Sequence, residues 1–254
     1  MIMNNSQVKF LDSPTEGYLL VENFLSTQEC QILLDKISEY RKQFSVPKIH
    51  RYTKPIPLSY SVIDGLVVQS HFPQLQSLYQ KVNTFINQYT NYPLFTLDSI
   101  QAGCNVNITE KGGSYRWHYD RNAVTALLFL NEVEGGEIEF YPNYRITLQS
   151  GKFSQIQSWI DQIQQYPLIR SWFGQKVVVE PKPGLLLVMC GDKCLHSVRQ
   201  VTGSSDRINI VMTYDIPHAS YAVEKPLNSY LYTSETVSAS DPNYSSSHDP
   251  LKKF

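Results

Sequence analysis

The 254 residues are 42% hydrophobic and 12% aromatic, enough to bury roughly three quarters of the unfolded surface in one globular domain without a disulfide or metal. Twenty-two Lys and Arg against 23 Asp and Glu leave a formal charge of −1, so no basic field is available to hold a nucleic-acid backbone by counterion release. The longest apolar runs, such as Leu185–Cys190, fall far short of the roughly 18 residues of a membrane span, and the polar start Met1–Phe10 lacks the order of a signal peptide.

The front of the chain reads as helical. Ser26 followed by Glu29 predicts a capping box, after which Leu33, Ile37, Tyr40 and Phe44 recur at helical spacing. The proline-rich stretch from Val46 to Leu58 reads as a loop. A second amphipathic helix is predicted after Pro73, with Leu75, Leu78, Val82, Phe85, Ile86 and Tyr89 on one stripe. From about Leu97 the texture changes to short strands. Val124–Leu130 is almost continuously apolar, Gly135-Gly136 turn the chain into Glu137–Phe140, and further strands read at Lys176–Glu180, Gly184–Cys190 and Arg207–Tyr214. Such a series predicts an antiparallel sandwich or jelly roll. A helical insertion at about 141–175, with Phe153, Ile156, Trp159, Ile160 and Ile163 at helical spacing, interrupts it; Trp159 and Trp172 are expected to pack inward. Residues 1–218 thus read as a single domain, and the Ser- and Tyr-rich residues 219–254 as a tail or flap. Cys30, Cys104, Cys190 and Cys194 are too few and scattered for a disulfide framework, which points to reduced thiols and a cytoplasmic setting.

The residues with chemistry to offer lie in Trp117-His118-Tyr119-Asp120 and Leu195-His196-Ser197-Val198. On extended chain His118 and Asp120 project to one side, and a distant His completes the parts of a 2-His-1-carboxylate facial triad, a donor set suited to Fe(II) with open positions. A His-x-Asp alone is a weak signal, since a surface His often stands beside a solvated Asp. Cys190, Cys194 and His196 offer a competing zinc cluster, without an obvious fourth ligand. Arg207, Asn209, Val211 and Thr213 share one face of the last strand, and Ile208, Ile210 and Met212 the other. A guanidinium on such a face needs an anionic partner, and a carboxylate matches it best. Arg116, Trp117, Arg121 and Asn122 flank the proposed ligands, either to meet substrate or as solvated loop residues.

In their order and spacing these segments resemble the Fe(II)- and 2-oxoglutarate-dependent oxygenases of the prolyl-4-hydroxylase-like branch. The resemblance runs over roughly residues 18–216. It begins at Val21–Ser26 with Glu29-Cys30 and continues through Gly112, Tyr115, His118 and Asp120. Thr125–Asn131 and Gly135-Gly136-Glu137 follow, and it ends with Pro183-Gly184, His196, Val198 and Arg207. It implies an α+β fold, a double-stranded β-helix (jelly-roll, cupin-like) core with flanking N-terminal helices.

It further implies that His118, Asp120 and His196 ligate Fe(II) and that Arg207 pairs with the distal carboxylate of 2-oxoglutarate. Asn209 stands where relatives often place a Ser on the same carboxylate. Phe129 and Thr109 stand where relatives often carry Tyr, leaving Asn107, Thr109, Tyr115 or Thr125 as substitute donors. The implied reaction consumes O2, releases succinate and CO2, and hydroxylates an unactivated C–H bond of a small molecule, an amino acid or a peptidyl side chain, with ascorbate as a stimulant. Retention of Asp120 favours hydroxylation over halogenation. The alternative is a catalytically silent jelly-roll module that binds a ligand or partner. No nucleic acid and no membrane is expected as a partner.

Overall fold

The structure, a computed structural model, describes residues 17–51, 58–148 and 155–217. The expected tail at 219–254, the start Met1–Phe10 and Phe153 lie outside them. Strand β1 (Tyr18–Val21) leads into helix α1 (Thr27–Gln43), opened by the expected capping box. The Ser26 hydroxyl accepts the Glu29 N–H at 3.2 Å, and the Glu29 carboxylate accepts the Ser26 N–H at 2.7 Å. Strands β2 (Lys48–Arg51) and β3 (Leu58–Ile63) pair antiparallel, which corrects the loop expected from Val46 to Leu58. As an edge strand with a single apolar residue in Lys-Ile-His-Arg, β2 carries no alternation to betray it. Helices α2 (Gly65–His71) and α3 (Pro73–Ile86), strand β4 (Phe95–Thr96) and the short α4 (Ile100–Gly103) follow.

Eight strands then build the core: β5 (Cys104–Thr109), β6 (Tyr115–His118), β7 (Val124–Phe129), β8 (Ile138–Tyr141), β9 (Val177–Val179), β10 (Leu186–Met189), β11 (Leu195–Val198) and β12 (Arg207–Asp215). Between β8 and β9 stand helices α5 (Gln155–Gln164) and α6 (Pro167–Phe173). One sheet runs β1-β10-β7-β12-β5-β3-β2 with β4 also on β12; the other runs β6-β11-β8-β9. The pairings are antiparallel, and the chain shuttles between the sheets as it proceeds. The result is the double-stranded β-helix with flanking helices that the resemblance implies.

Period-two alternation explains the near-continuous apolar runs, because the larger sheet is covered on both faces. Val124, Ala126 and Leu128 of β7, Leu186 and Val188 of β10, and Ile210, Met212 and Tyr214 of β12 face helices α1 and α3. Leu127, Phe129, Leu187 and Met189 face inward and meet Ile138 and Phe140 of the smaller sheet. At β12 this alternation leaves Arg207, Asn209, Val211 and Thr213 pointing between the sheets, where a cavity opens.

The insertion docks in an unexpected way. Trp159 and Trp172, read as packing residues, are 64% and 84% exposed. Helix α5 turns a polar stripe inward instead: Gln157 and Gln164 are buried and Asp161 is half-buried. Those three positions recur at helical spacing, so the stripe is as regular as an apolar one; it binds because each group meets a partner in the protein.

Candidate active site

His118 ends β6 and His196 lies on β11, directly opposite in the antiparallel register. Their rings stand 4.1 Å apart between centroids. Asp120 follows β6, and one of its oxygens, Oδ1, lies 3.6 Å from Nε2 of each histidine. Ligand atoms from all three fall within 4.8 Å of one another, the one such grouping among the described residues. The competing zinc cluster does not form: Cys190 packs in the core under the helices and Cys194 in the core between the sheets.

Hydrogen bonding prepares each donor. Nδ1 of His118 lies 2.8 Å from the Arg116 carbonyl, and Nδ1 of His196 lies 3.0 Å from the Cys194 carbonyl. A carbonyl only accepts, so both Nδ1 atoms carry a proton, and each ring is left with Nε2, turned toward Asp120, as the atom that can ligate. Burial, reinforced by His196, holds the His118 pKa well below the ordinary imidazole value, which keeps that ring neutral and able to ligate. Asp120 is steadied through its other oxygen, to which the Thr125 hydroxyl donates at 2.6 Å. Asn122 in turn donates to Thr125 Oγ1 at 2.9 Å and to the Val124 carbonyl at 2.7 Å. The hydroxyl read as a substitute cosubstrate donor is therefore committed to Asp120. A Cβ on Gly191 would stand 2.7 Å from Thr125 Oγ1, so this closeness requires glycine there.

Arg207 is 2% exposed at the start of β12. Its Nε donates to the Gly136 carbonyl at 2.8 Å, Nη1 donates to Asn209 Oδ1, and the guanidinium lies 5.1 Å from the Phe129 ring centroid. Nη2 has no hydrogen-bond partner among the described residues. Burial pushes the Arg207 pKa down to about 10, so the group remains cationic at neutral pH. A buried cation with a vacant N–H is a costly arrangement unless an anion completes it. Asn209 thus orients Arg207. Across the strand pair, buried Thr109 sits opposite Arg207 with an unpaired hydroxyl, and Asn107 sits opposite Asn209 with its amide donating to the Tyr115 hydroxyl at 3.2 Å.

His118, Asp120, His196, Arg207, Asn209, Tyr115, Thr125 and Asn107 all line the one cavity of about 100 Å³ between the sheets. Tyr60 and Asn105 line it too and were not singled out in the sequence. Asn105 was accessible to the same reasoning that found Arg207, because Asn105 and Asn107 alternate with Val106 and Ile108 along β5. Tyr60, on another strand, packs at a tilt against Tyr115 with 4.7 Å between ring centroids, which no local pattern announces. Trp117, a candidate substrate contact, packs with Tyr141 and under the Arg170 guanidinium, 4.1 Å from the ring centroid. Two imidazoles, a carboxylate and a nearby anion-seeking guanidinium fit a divalent metal of intermediate softness together with a carboxylate-bearing chelator. No helix among the described residues is long and apolar enough to cross a membrane.

The sequence pattern of the 2OG-Fe(II) oxygenase superfamily matches residues 104–214, from the first residue of β5 to the penultimate residue of β12. No curated protein matches the chain by sequence. Among solved structures, the non-heme α-ketoglutarate-dependent carbocyclase SnoK from nogalamycin biosynthesis superposes with a TM-score of 0.61 at 17% identity, over 78% of this chain and 79% of that one. A Trichoplax adhaerens prolyl hydroxylase bound to a hypoxia-inducible-factor peptide gives 0.56 at 17%, over 80% and 84%. A Pseudomonas putida prolyl-4-hydroxylase gives 0.52 at 18%, over 79% and 94%. Residues 104–214 thus match the 2OG-Fe(II) oxygenase superfamily, and the fold around them is the one these oxygenase structures share, prolyl-4-hydroxylases among them.

Proposed function

We propose that this chain hydroxylates an unactivated C–H bond of a polar small molecule, an amino acid or a peptidyl side chain, with succinate and CO2 as coproducts. The observation that carries this reading is the convergence of His118, Asp120 and His196 on one point, in the same cavity as the incompletely bonded Arg207. In this reading the two Nε2 atoms and Asp120 Oδ1 hold Fe(II), and Arg207 Nη2 and the Thr109 hydroxyl seat the distal carboxylate of 2-oxoglutarate. Iron and the oxoacid supply the oxidative decarboxylation and C–H oxidation; the protein binds, orients and excludes water. These three side chains would hold the metal and leave it open to the oxoacid and to O2. Leu127, Met189 and Val211 give the cavity an apolar wall, which keeps water from competing.

The polar part of the wall bears on the substrate. Asn105 is buried, donates from Nδ2 to the Ala102 carbonyl at 3.2 Å, and leaves Oδ1 without a partner among the described residues. An acceptor in that state favours a substrate presenting an N–H or O–H. The peptide bound to the Trichoplax enzyme and the small-molecule setting of SnoK span the same two substrate classes. Four buried cysteine thiols suit a reducing cytoplasm.

The test is anaerobic mixing of Fe(II) and 2-oxoglutarate, which should produce a weak visible charge-transfer band, followed by succinate release screened over amino acids, peptides and polar metabolites. Absence of both band and succinate would overturn the reading. A second outcome follows from the Asp120 bond. Thr125→Val, which removes the hydroxyl at nearly constant shape, should weaken metal binding by roughly 10–100-fold, the usual cost of losing an outer-shell partner, in a titration followed by absorbance.

A further inference from the structure

Arg145 stands just beyond β8, outside the cavity, with a side chain only 3% exposed. Its guanidinium grips Asp161 of helix α5 in a two-pronged pair, Nε to Oδ1 at 2.9 Å and Nη2 to Oδ2 at 2.5 Å. Nη1 donates to the Asp192 carbonyl at 3.2 Å, and the Arg145 backbone N–H donates to the Lys193 carbonyl at 3.0 Å. The guanidinium also covers the ring of Tyr119, 4.9 Å from its centroid.

Apart from Asp161, the groups that Arg145 touches belong to segments that carry the proposed metal ligands. Tyr119 is fully buried and lies between His118 and Asp120 in the chain. The turn over Gly191–Lys193 accepts the Asp120 N–H on the Gly191 carbonyl at 3.0 Å and donates the Gly191 N–H to the Ala123 carbonyl at 2.9 Å. That turn runs into Cys194, whose carbonyl fixes the His196 ring. Helix α5 supplies the counter-structure: Gln157 donates to Asp161 Oδ1 at 2.8 Å, and Gln164 faces the Tyr119 hydroxyl at 3.5 Å.

We propose that Arg145 is a positioning residue for the His118–Asp120–His196 centre, with Asp161 of the insertion as the anchor that holds its guanidinium against the 191–193 turn and Tyr119. The insertion then serves the site from behind the smaller sheet, as a buttress. The proposal rests on the reading that the three side chains bind iron. Its chemistry is simple: a guanidinium fork bonded on three sides fixes two segments relative to each other, and ligand spacing sets metal affinity.

The test uses the full chain and Co(II) as probe, with affinity and the visible d–d spectrum as readouts. Arg145→Met should bind Co(II) roughly 10–100-fold more weakly than wild type, with an altered spectrum, at temperatures where circular dichroism shows it folded. Arg145→Lys, which keeps the cation and loses the fork, should recover part of that loss. Val82→Ala, in the core under α3 and remote from the turn, is the control for lost stability alone and should keep wild-type affinity and spectrum. If Arg145→Met does not fold, Asp161→Asn keeps the clamp's shape without its charge and should weaken Co(II) in the same direction. Wild-type affinity and spectrum in a folded Arg145→Met, or in Asp161→Asn, overturn this assignment alone. Absence of Co(II) binding by the wild type overturns the iron site and this assignment with it.

Discussion

His118→Ala and His196→Ala should each abolish metal binding and turnover while leaving a folded protein. Each variant removes one of the two Nε2 donors aimed at Asp120, and two donors do not form a facial site. The loss should exceed the roughly 100-fold that removal of a supporting hydrogen bond costs. The fold has no comparable dependence on these rings, because neither histidine belongs to the apolar cores between the sheets and under the helices. What the fold does lose is one hydrogen bond to the Arg116 or Cys194 carbonyl, worth about 1 kcal/mol or roughly 2–4 °C in Tm. Co(II) titration and thermal unfolding by circular dichroism read the two effects separately. Wild-type Co(II) affinity in either variant would remove that histidine from the ligand set, and loss of the fold would make the metal structural.

The triad and the Arg207 face were legible because both lie on extended chain, where a period of two decides direction from sequence alone. Arg207, Asn209, Val211 and Thr213 point into the cavity as the alternation of β12 dictates. Tyr115 was legible only through the resemblance. It stands three residues before His118, a spacing that simple alternation would send to the opposite face. The register shift between His196 and Val198 against β6 restores it to the same side, and a bulge of that kind leaves no mark in a short strand.

The insertion shows the opposite failure. Its apolar residues repeat at helical spacing, which reads as a buried stripe, yet Ile156 and Trp159 are exposed and Gln157 and Gln164 are buried. Periodicity reports that a helix is two-faced, and it identifies the inner face only when the docking surface is apolar. Here the docking surface presents the Ile146 and Tyr144 carbonyls and the Arg145 guanidinium, so the glutamines and Asp161 win. Those partners come from a loop with no pattern of its own. The same blindness hid the role of Thr125, whose partner Asp120 belongs to the centre itself.

Arg207→Met should raise the 2-oxoglutarate concentration needed for half-saturation by roughly 30-fold to several thousand-fold. The side chain keeps its length and apolar stem, so the change isolates the guanidinium. Truncating one member of a buried charged pair costs about 2–5 kcal/mol, much of it because the partner's charge stays unpaired. Arg207→Lys should recover little. Lysine keeps a charge but cannot at once donate to the Gly136 carbonyl, donate to Asn209 Oδ1 and present a further N–H to a ligand. A Cβ on Gly136, at φ 68°, would stand 2.9 Å from Arg207 Cδ, so glycine there is what lets the arginine side chain pass. Ligand-induced stabilisation with Ni(II) in place of iron reads the effect without turnover. At 100 times its Kd, 2-oxoglutarate should stabilise the wild type by about 2.7 kcal/mol, roughly 5–10 °C in Tm. The same concentration should stabilise Arg207→Met by less than about 1 kcal/mol. Ni(II) alone should stabilise both proteins alike, since Arg207 lies outside the three ligands; an equal response of both to 2-oxoglutarate would place its carboxylate elsewhere in the cavity.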